Sequence, residues 1–245
     1  MVKKYSFGNP IETDAVVKDI AETEWKDGVF RKVGNSFHYT LRPDEIIYGL
    51  GENVRGMNKR GWRYVSECAD NPNHCEHTSS LYGAHNFIMI GDGVQKTCGL
   101  FVDTPGRVTF DAGYTDIDEL CITMEDGDYK LYLIEGASYP DVVKEFRELI
   151  GRSYIAPRWA FGYGQSRWSY NTADEVREVA AEYKKRNIPI DSIYLDIDYM
   201  ERYKDFTINK ENFPDFAGFV QEMKDDKIHL IPIIDAGVND GDQVD

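Results

Sequence analysis

One stretch constrains the fold more than any other: Pro189 to Met200, which reads PIDSIYLDIDYM. Ile190, Ile193, Leu195 and Ile197 supply apolar and β-branched bulk, and a near-continuous apolar run of this kind suits a parallel strand covered on both faces. The run ends in acids. Asp196 and Asp198 stand two apart, so on an extended strand their side chains leave the same side. Carboxylates at the carboxyl end of a parallel strand are where α/β folds carry their chemistry. A single Asp there also serves to cap the following loop. Two on one face, followed by Tyr199-Met200 and a charged loop, point to function.

The flanking sequence alternates strand and helix. Ala160 to Gln165 reads as a first strand, in which Gly162 and Gly164 let other groups pack close. Thr172 and Glu175 form a capping box. The helix behind it carries Val176, Val179, Ala180 and Tyr183 at the spacing i, i+3, i+4, i+7. A second helix begins near Pro214 and buries Phe216, Phe219, Val220 and Met223. Ile228 to Asp235 is a third strand, again ending in an acid. This is βαβαβ at the spacing of a parallel sheet. Right-handed crossovers place both helices on one side of it, as in the wall of a (β/α)8 barrel. All three strand ends then face one rim, which carries Trp168, Asp196, Asp198 and Asp235. A ring beside carboxylates suits a sugar, because the ring covers the C–H face while the acids take the hydroxyls. The alternative for Trp168 is a packing role.

Upstream of about Asp128 the pattern is different. Short β-branched and aromatic runs recur: Ser36–Leu41, Glu45–Leu50, Asn86–Ile90, Cys98–Val102, Arg107–Phe110 and Lys130–Ile134. Turn signals separate them, among them Asp27-Gly28, Gly91-Asp92-Gly93 and Asp126-Gly127. Strands at this spacing with almost no helical periodicity imply a β-sandwich. Tyr139 to Gly151 then reads as a helix, with Pro140 at its start, Gly151 as its stop, and Val142, Val143, Phe146, Leu149 and Ile150 on one face. The expected domains are a sandwich over 1–138, a helical linker over 139–156 and a partial barrel over 157–245.

Two loops of the sandwich carry distinctive residues. Gly49-Leu50-Gly51-Glu52 begins a GxGxxxxG run, but no helix follows and the surroundings are acidic, so it is no phosphate loop. The window from Cys68 to His85 holds three His and two Cys at a spacing that fits no familiar zinc pattern, and a polar surface loop is expected there, with no metal. Asp70 in that window is within reach of a neighbouring site.

A net charge of −15 argues against nucleic acid and anionic membranes as partners. The first residues lack the apolar core of a signal peptide and no run approaches a membrane span. The four Cys include no CxxC pair, and the expected location is cytoplasmic. Nothing in the chain calls for a cofactor.

The motifs taken together resemble glycoside hydrolase family 31, the α-glucosidase family, and within it the gut-bacterial members. The resemblance rests on Leu195-Asp196-Ile197-Asp198-Tyr199-Met200 with Asp205-Phe206-Thr207 and Phe213-Pro214. It rests also on Gly49-Leu50-Gly51-Glu52, Leu81-Tyr82-Gly83-Ala84-His85, Pro157 to Gly162, Arg167-Trp168-Ser169-Tyr170 and Ile234-Asp235. It implies a galactose-mutarotase-like β-sandwich leading into a (β/α)8 barrel, and a retaining enzyme that releases α-glucose from non-reducing ends. It implies substrate-binding roles for Asp196, Trp168, Asp70 and Val238, with Asp198 and Asp235 in support. The run Asp235-Ala236-Gly237-Val238 stands where many members have Asp-Pro-Ala-Ile, a change in pocket shape.

A (β/α)8 barrel takes about 250 residues, and only about 90 follow Pro157, enough for three strands. In the family the nucleophile Asp follows the fourth strand, in a block reading roughly WxDMNE, and the acid/base Asp comes later. Neither block is present, so no catalytic residue is assigned. The expectation is the N-terminal part of an α-glucosidase, inactive alone. Its partners would be α-glucosides or oligosaccharides, and either the remainder of the barrel or a second copy at the open apolar sheet edge. Two other readings stay open. One is a non-catalytic carbohydrate-binding or structural module. The other is a compact enzyme using Asp196 and Asp235 as the carboxyl pair that retaining glycosidases hold about 5 Å apart.

Overall fold

The structure, a computed structural model, describes residues 1–92 and 97–235. The chain divides into two compact units, Met1–Ser153 and Tyr154–Asp245.

The first unit is built from ten strands and one helix: β1 (Val2–Phe7), β2 (Arg31–Val33), β3 (Ser36–Thr40), β4 (Ile46–Gly51), β5 (Trp62–Ser66), β6 (Ala84–Gly91), β7 (Thr97–Asp103), β8 (Val108–Ala112), β9 (Glu119–Met124), β10 (Tyr129–Gly136) and α1 (Tyr139–Ile150). The strands form two five-stranded antiparallel sheets, ordered β1-β10-β7-β6-β4 and β2-β3-β9-β8-β5. Period-2 alternation sets the inner face of the second sheet. Phe37 and Tyr39 of β3, Leu120 and Ile122 of β9, and Val108 and Phe110 of β8 are buried, while their neighbours turn outward. Aromatic residues carry much of this core: Phe7, Phe37 and Tyr129 pack ring on ring, with Trp25 against Phe7 and Phe37.

The first sheet is covered on both faces, which explains why Leu131–Ile134 of β10 is an unbroken apolar run. Tyr129 and Leu131 face the sandwich core, whereas Tyr132 and Ile134 pack with Val142 and Leu149 of α1. Phe146 stacks on Phe87 with ring centroids 3.8 Å apart. The helix lies so close that a Cβ at Gly99 would stand 2.5 Å from Val142 Cγ1. The predicted apolar face of α1 is too wide. Val142, Phe146 and Leu149 make the stripe, while Val143 and Ile150 sit at its margin and are each 37% exposed.

The second unit holds β11 (Gly164–Gln165), α2 (Ala173–Lys185), β12 (Ser192–Leu195), α3 (Phe216–Asp225) and β13 (His229–Pro232). The three strands pair in parallel in the order β11-β12-β13, the beginning of a barrel wall. Ile193 and Leu195 of β12 share one core with Val176 and Ala180 of α2 and Phe219 and Met223 of α3, so both helices cover the same face of the sheet. Val220, expected in this core, is instead 37% exposed.

Two strand boundaries differ from the sequence reading. Ala160 and Phe161, expected to open the first strand, instead lie in a 3-10 turn over Arg158–Phe161: Pro157 fixes the entry at φ −63° and the Gly162 N–H closes the turn on Trp159 O. The third strand stops at Pro232, so Asp235 lies three residues beyond it.

Candidate functional site

The parallel ladder puts the carboxyl ends of β11, β12 and β13 on one edge of the sheet, and Trp168, Asp196, Asp198 and Asp235 all follow those ends. Their local settings differ. Asp196 comes directly after Leu195, is half-buried, and its Oδ1 accepts the Ile197 N–H at 2.7 Å. That bond, with the Tyr199 N–H on Asp196 O, turns residues 197–199 into a 3-10 helix. The expectation that Asp196 and Asp198 leave one face of a strand is therefore incorrect: the strand has already ended. Asp198 sits in the turn and accepts from the Tyr203 hydroxyl at 3.4 Å.

The turn is anchored from both sides. The Tyr199 hydroxyl donates to Ile233 O at 2.8 Å, the Asn209 N–H donates to Tyr199 O, and the Ile233 N–H reaches Leu195 O. These bonds fix the segment leading to Asp235, which is exposed. Trp168 is 78% exposed, a large ring offered to solvent beside the strand ends, and so has no packing role within this unit. Behind it Tyr170 is buried and accepts from Gln165 Nε2 at 3.1 Å. Gln165 Oε1 in turn accepts the Tyr163 hydroxyl, and the bond that Tyr183 donates to Tyr163, then burial, raises the Tyr183 hydroxyl to about 12.

The amino side of the same strands is tied by a residue that the sequence reading passed over. Asp191 accepts the Tyr163 N–H on Oδ2, donates its own N–H to Tyr163 O, and offers its carbonyl to the His229 N–H. Trp159 stacks on the His229 ring, centroids 3.9 Å apart. The available signal was Gly162, whose missing side chain makes room for the Asp191 carboxylate.

Asp70 belongs to the first unit. It is exposed and accepts from the Tyr82 hydroxyl, which that bond raises above its ordinary value. Two motifs beside it are explained by one clasp: Glu52 N–H donates to Gly83 O, and Glu52 Oε2 accepts the Gly83 N–H at 3.0 Å. A Cβ at Gly51 would come within 2.7 Å of Gly83 O, and Gly51 has φ +70°. Val238 lies outside the described residues. Among the described residues no group of His, Cys, Asp and Glu has metal-holding geometry, and no helix is long and apolar enough to cross a membrane.

Comparison with known families matches residues 8–111 to the glycosyl hydrolase 31 N-terminal galactose mutarotase-like domain and residues 153–244 to the glycosyl hydrolases family 31 TIM-barrel domain. The chain belongs to glycoside hydrolase family 31. Among its relatives, Alpha-glucosidase 2 of Bacillus thermoamyloliquefaciens is 37% identical over 79% of this chain and 24% of its own length. The Alpha-glucosidase of Saccharolobus solfataricus is 33% identical over 79% of this chain and 28% of its own. The GH31 dextranase FjDex31A of Flavobacterium johnsoniae, solved in complex with glucose, superposes with a TM-score of 0.74 at 30% identity, over 85% of this chain and 25% of that one. The chain thus spans about a quarter of the length of these family 31 proteins. Its two units correspond to the family's mutarotase-like domain and the first part of its barrel.

Proposed function

We propose that this chain is the glucose-recognising part of an α-glucosidase that removes terminal α-linked glucose from oligosaccharides by a retaining mechanism, and that alone it binds without turnover. The observation that carries this reading is Asp196. It follows the middle strand of a parallel sheet and is half-buried, with one carboxylate oxygen committed to the Ile197 N–H. In this reading the other oxygen takes a sugar hydroxyl. Trp168 supplies an apolar surface for the C–H face of the ring, and Asp198 and Asp235 support the loops around it. Retention requires a nucleophile and an acid/base about 5 Å apart. This chain lacks the sequence block that holds the family nucleophile, so the remainder of the barrel has to supply that pair. β13 has a strand neighbour on one side only among the described residues, and its other edge is the seat for that remainder or for a second copy.

The test pairs two measurements on the purified chain: release of p-nitrophenol from p-nitrophenyl α-glucoside, and tryptophan fluorescence titrated with glucose. Binding without release, weakened severalfold in Trp168→Ala by calorimetric titration and lost in Asp196→Asn, supports the proposal. Release above the no-enzyme rate, abolished by Asp196→Asn, would assign the chemistry to the acids of this chain. Absence of both binding and release sinks the recognition role.

A further inference from the structure

The outward face of the second sandwich sheet carries a constellation that the glucosidase reading does not use. A cross-strand row of ionisable residues crosses all five strands. Arg31 of β2 pairs with His38 of β3, His38 with Cys121 of β9, Cys121 with Asp111 of β8, and Asp111 with Arg63 of β5. Cross-strand partners on one face stand side by side, which brings groups remote in sequence into contact.

At the centre of the row, Cys121 Sγ lies 3.9 Å from His38 Nε2, and on the far side of the ring His38 Nδ1 lies 3.1 Å from Glu119 Oε1. This is the order of a nucleophile, its base and the group that orients the base. The Glu119 contact is short but off the line of a hydrogen bond. Of the charged groups facing the pair from neighbouring strands, Asp111 is engaged elsewhere, whereas Arg31 faces the same Glu119 oxygen as His38. Asp111 accepts the N–H groups of Tyr114 and Thr115 and an Arg63 N–H, and Arg31 stands 4.0 Å from Glu119. The sulfur opens on a groove of about 510 Å³ lined also by Thr109, Thr123 and Glu119.

We propose that Cys121 is a thiol-exchange site that forms a mixed disulfide with low-molecular-weight disulfides entering this groove, with His38 as base and Glu119 as positioning residue. The Sγ proton passes to His38 Nε2. The sulfur attacks one sulfur of RS–SR, the S–S bond breaks, and RS⁻ leaves and takes up the proton as RSH. Cys121 is oxidised and one half of the disulfide is reduced. The other cysteines lack this arrangement. Burial pushes the Cys98 thiol up to about 12. Cys68 and Cys75 are exposed, and N–H donation from His77, then the Thr78 hydroxyl, holds the Cys75 thiol below its ordinary value. Cys75 is therefore the competitor that the experiment has to remove.

The test is dithiodipyridine reaction with the Cys68→Ser/Cys75→Ser chain, followed by thiopyridone absorbance. One equivalent is expected, lost in Cys121→Ser. At about pH 7, His38→Gln slows the reaction at least about threefold, because no base at that position then takes the Sγ proton. As pH rises, hydroxide takes over the work of the base and the two rates converge, which a merely structural role of His38 would not produce. Glu119→Gln falls between. Equal rates at neutral pH in the folded His38→Gln chain, or release that persists in Cys121→Ser, overturn the proposal. Should His38→Gln fail to fold, the unsubstituted chain decides: after incubation with oxidised glutathione, peptide mapping finds the adduct on Cys121, and its absence there refutes the site.

Discussion

The carboxylate of Asp191 fills the space that a side chain at residue 162 would need, and from there it accepts the Tyr163 N–H at 3.2 Å. Gly162 has φ −85°, so nothing about its backbone demands glycine; the constraint is volume alone. Gly162→Ala should destabilise the second unit by about 1–3 kcal/mol, the usual cost of an added methyl in a tight contact. Urea unfolding checks this, and an unchanged midpoint would show that Asp191 swings aside freely.

The start of α2 offers a second test. Thr172 accepts the Glu175 N–H at 3.3 Å and Glu175 Oε2 accepts the Asn171 N–H at 2.8 Å. Thr172→Ala should cost about 1 kcal/mol and Thr172→Ser should restore it. The same urea experiment reads both. Equal stability of all three chains would mean that the packing of Val176 and Ala180 alone holds this end.

The sandwich should fail in alkali. Burial raises Tyr129 to about 12, and burial with the charges of Asp103 and Glu12 raises Tyr132 to about 12. Both values exceed the ordinary 10.0, so folding favours the neutral phenol. The sign follows: the stabilisation is fully present below about pH 10 and is lost as pH rises through about 12, roughly 2 kcal/mol for each residue. Tyrosinate absorbance and far-UV circular dichroism should therefore change together in that window. Ionisation of every tyrosine near pH 10 with the dichroism intact would contradict it.

Trp168→Ala separates recognition from folding. A ring 78% exposed contributes little to stability, so the unfolding midpoint should move by no more than about 0.5 kcal/mol. Glucose binding, in contrast, should weaken severalfold, read by calorimetric titration because the variant loses the ring as a probe. A large fall in stability would return Trp168 to a packing role.

Much of this was legible in sequence because period and packing agree. β3, β4, β6, β7, β8 and β10 were anticipated from their β-branched and aromatic runs. β1 was not: Val2-Lys3-Lys4-Tyr5-Ser6-Phe7 has too few apolar positions to stand out, and it is a strand only because β10 offers it a partner. The acids after β12 show the opposite failure. Asp196 and Asp198 look alternately placed, but an Asp side chain competes for the backbone N–H that follows it, and the strand ends at Leu195, before either of them. Asp191 escaped notice because its role depends on a glycine 29 positions earlier, and only the fold brings them together. The row from Arg31 to Arg63 escaped for the same reason, since register across five strands is not written in any one of them.

The pairing of β1 with β10, Val2 opposite Ile134 and Phe7 opposite Tyr129, has a consequence for synthesis. During translation β1 must wait for the last strand of its sandwich before it finds its neighbour. Long-range closure of this kind is slow, and until then the growing chain carries Tyr5 and Phe7 without their cover. Chaperone dependence during translation should therefore peak before residue 129 emerges, and the β11-β12-β13 ladder, whose partners follow one another closely, should add little to it.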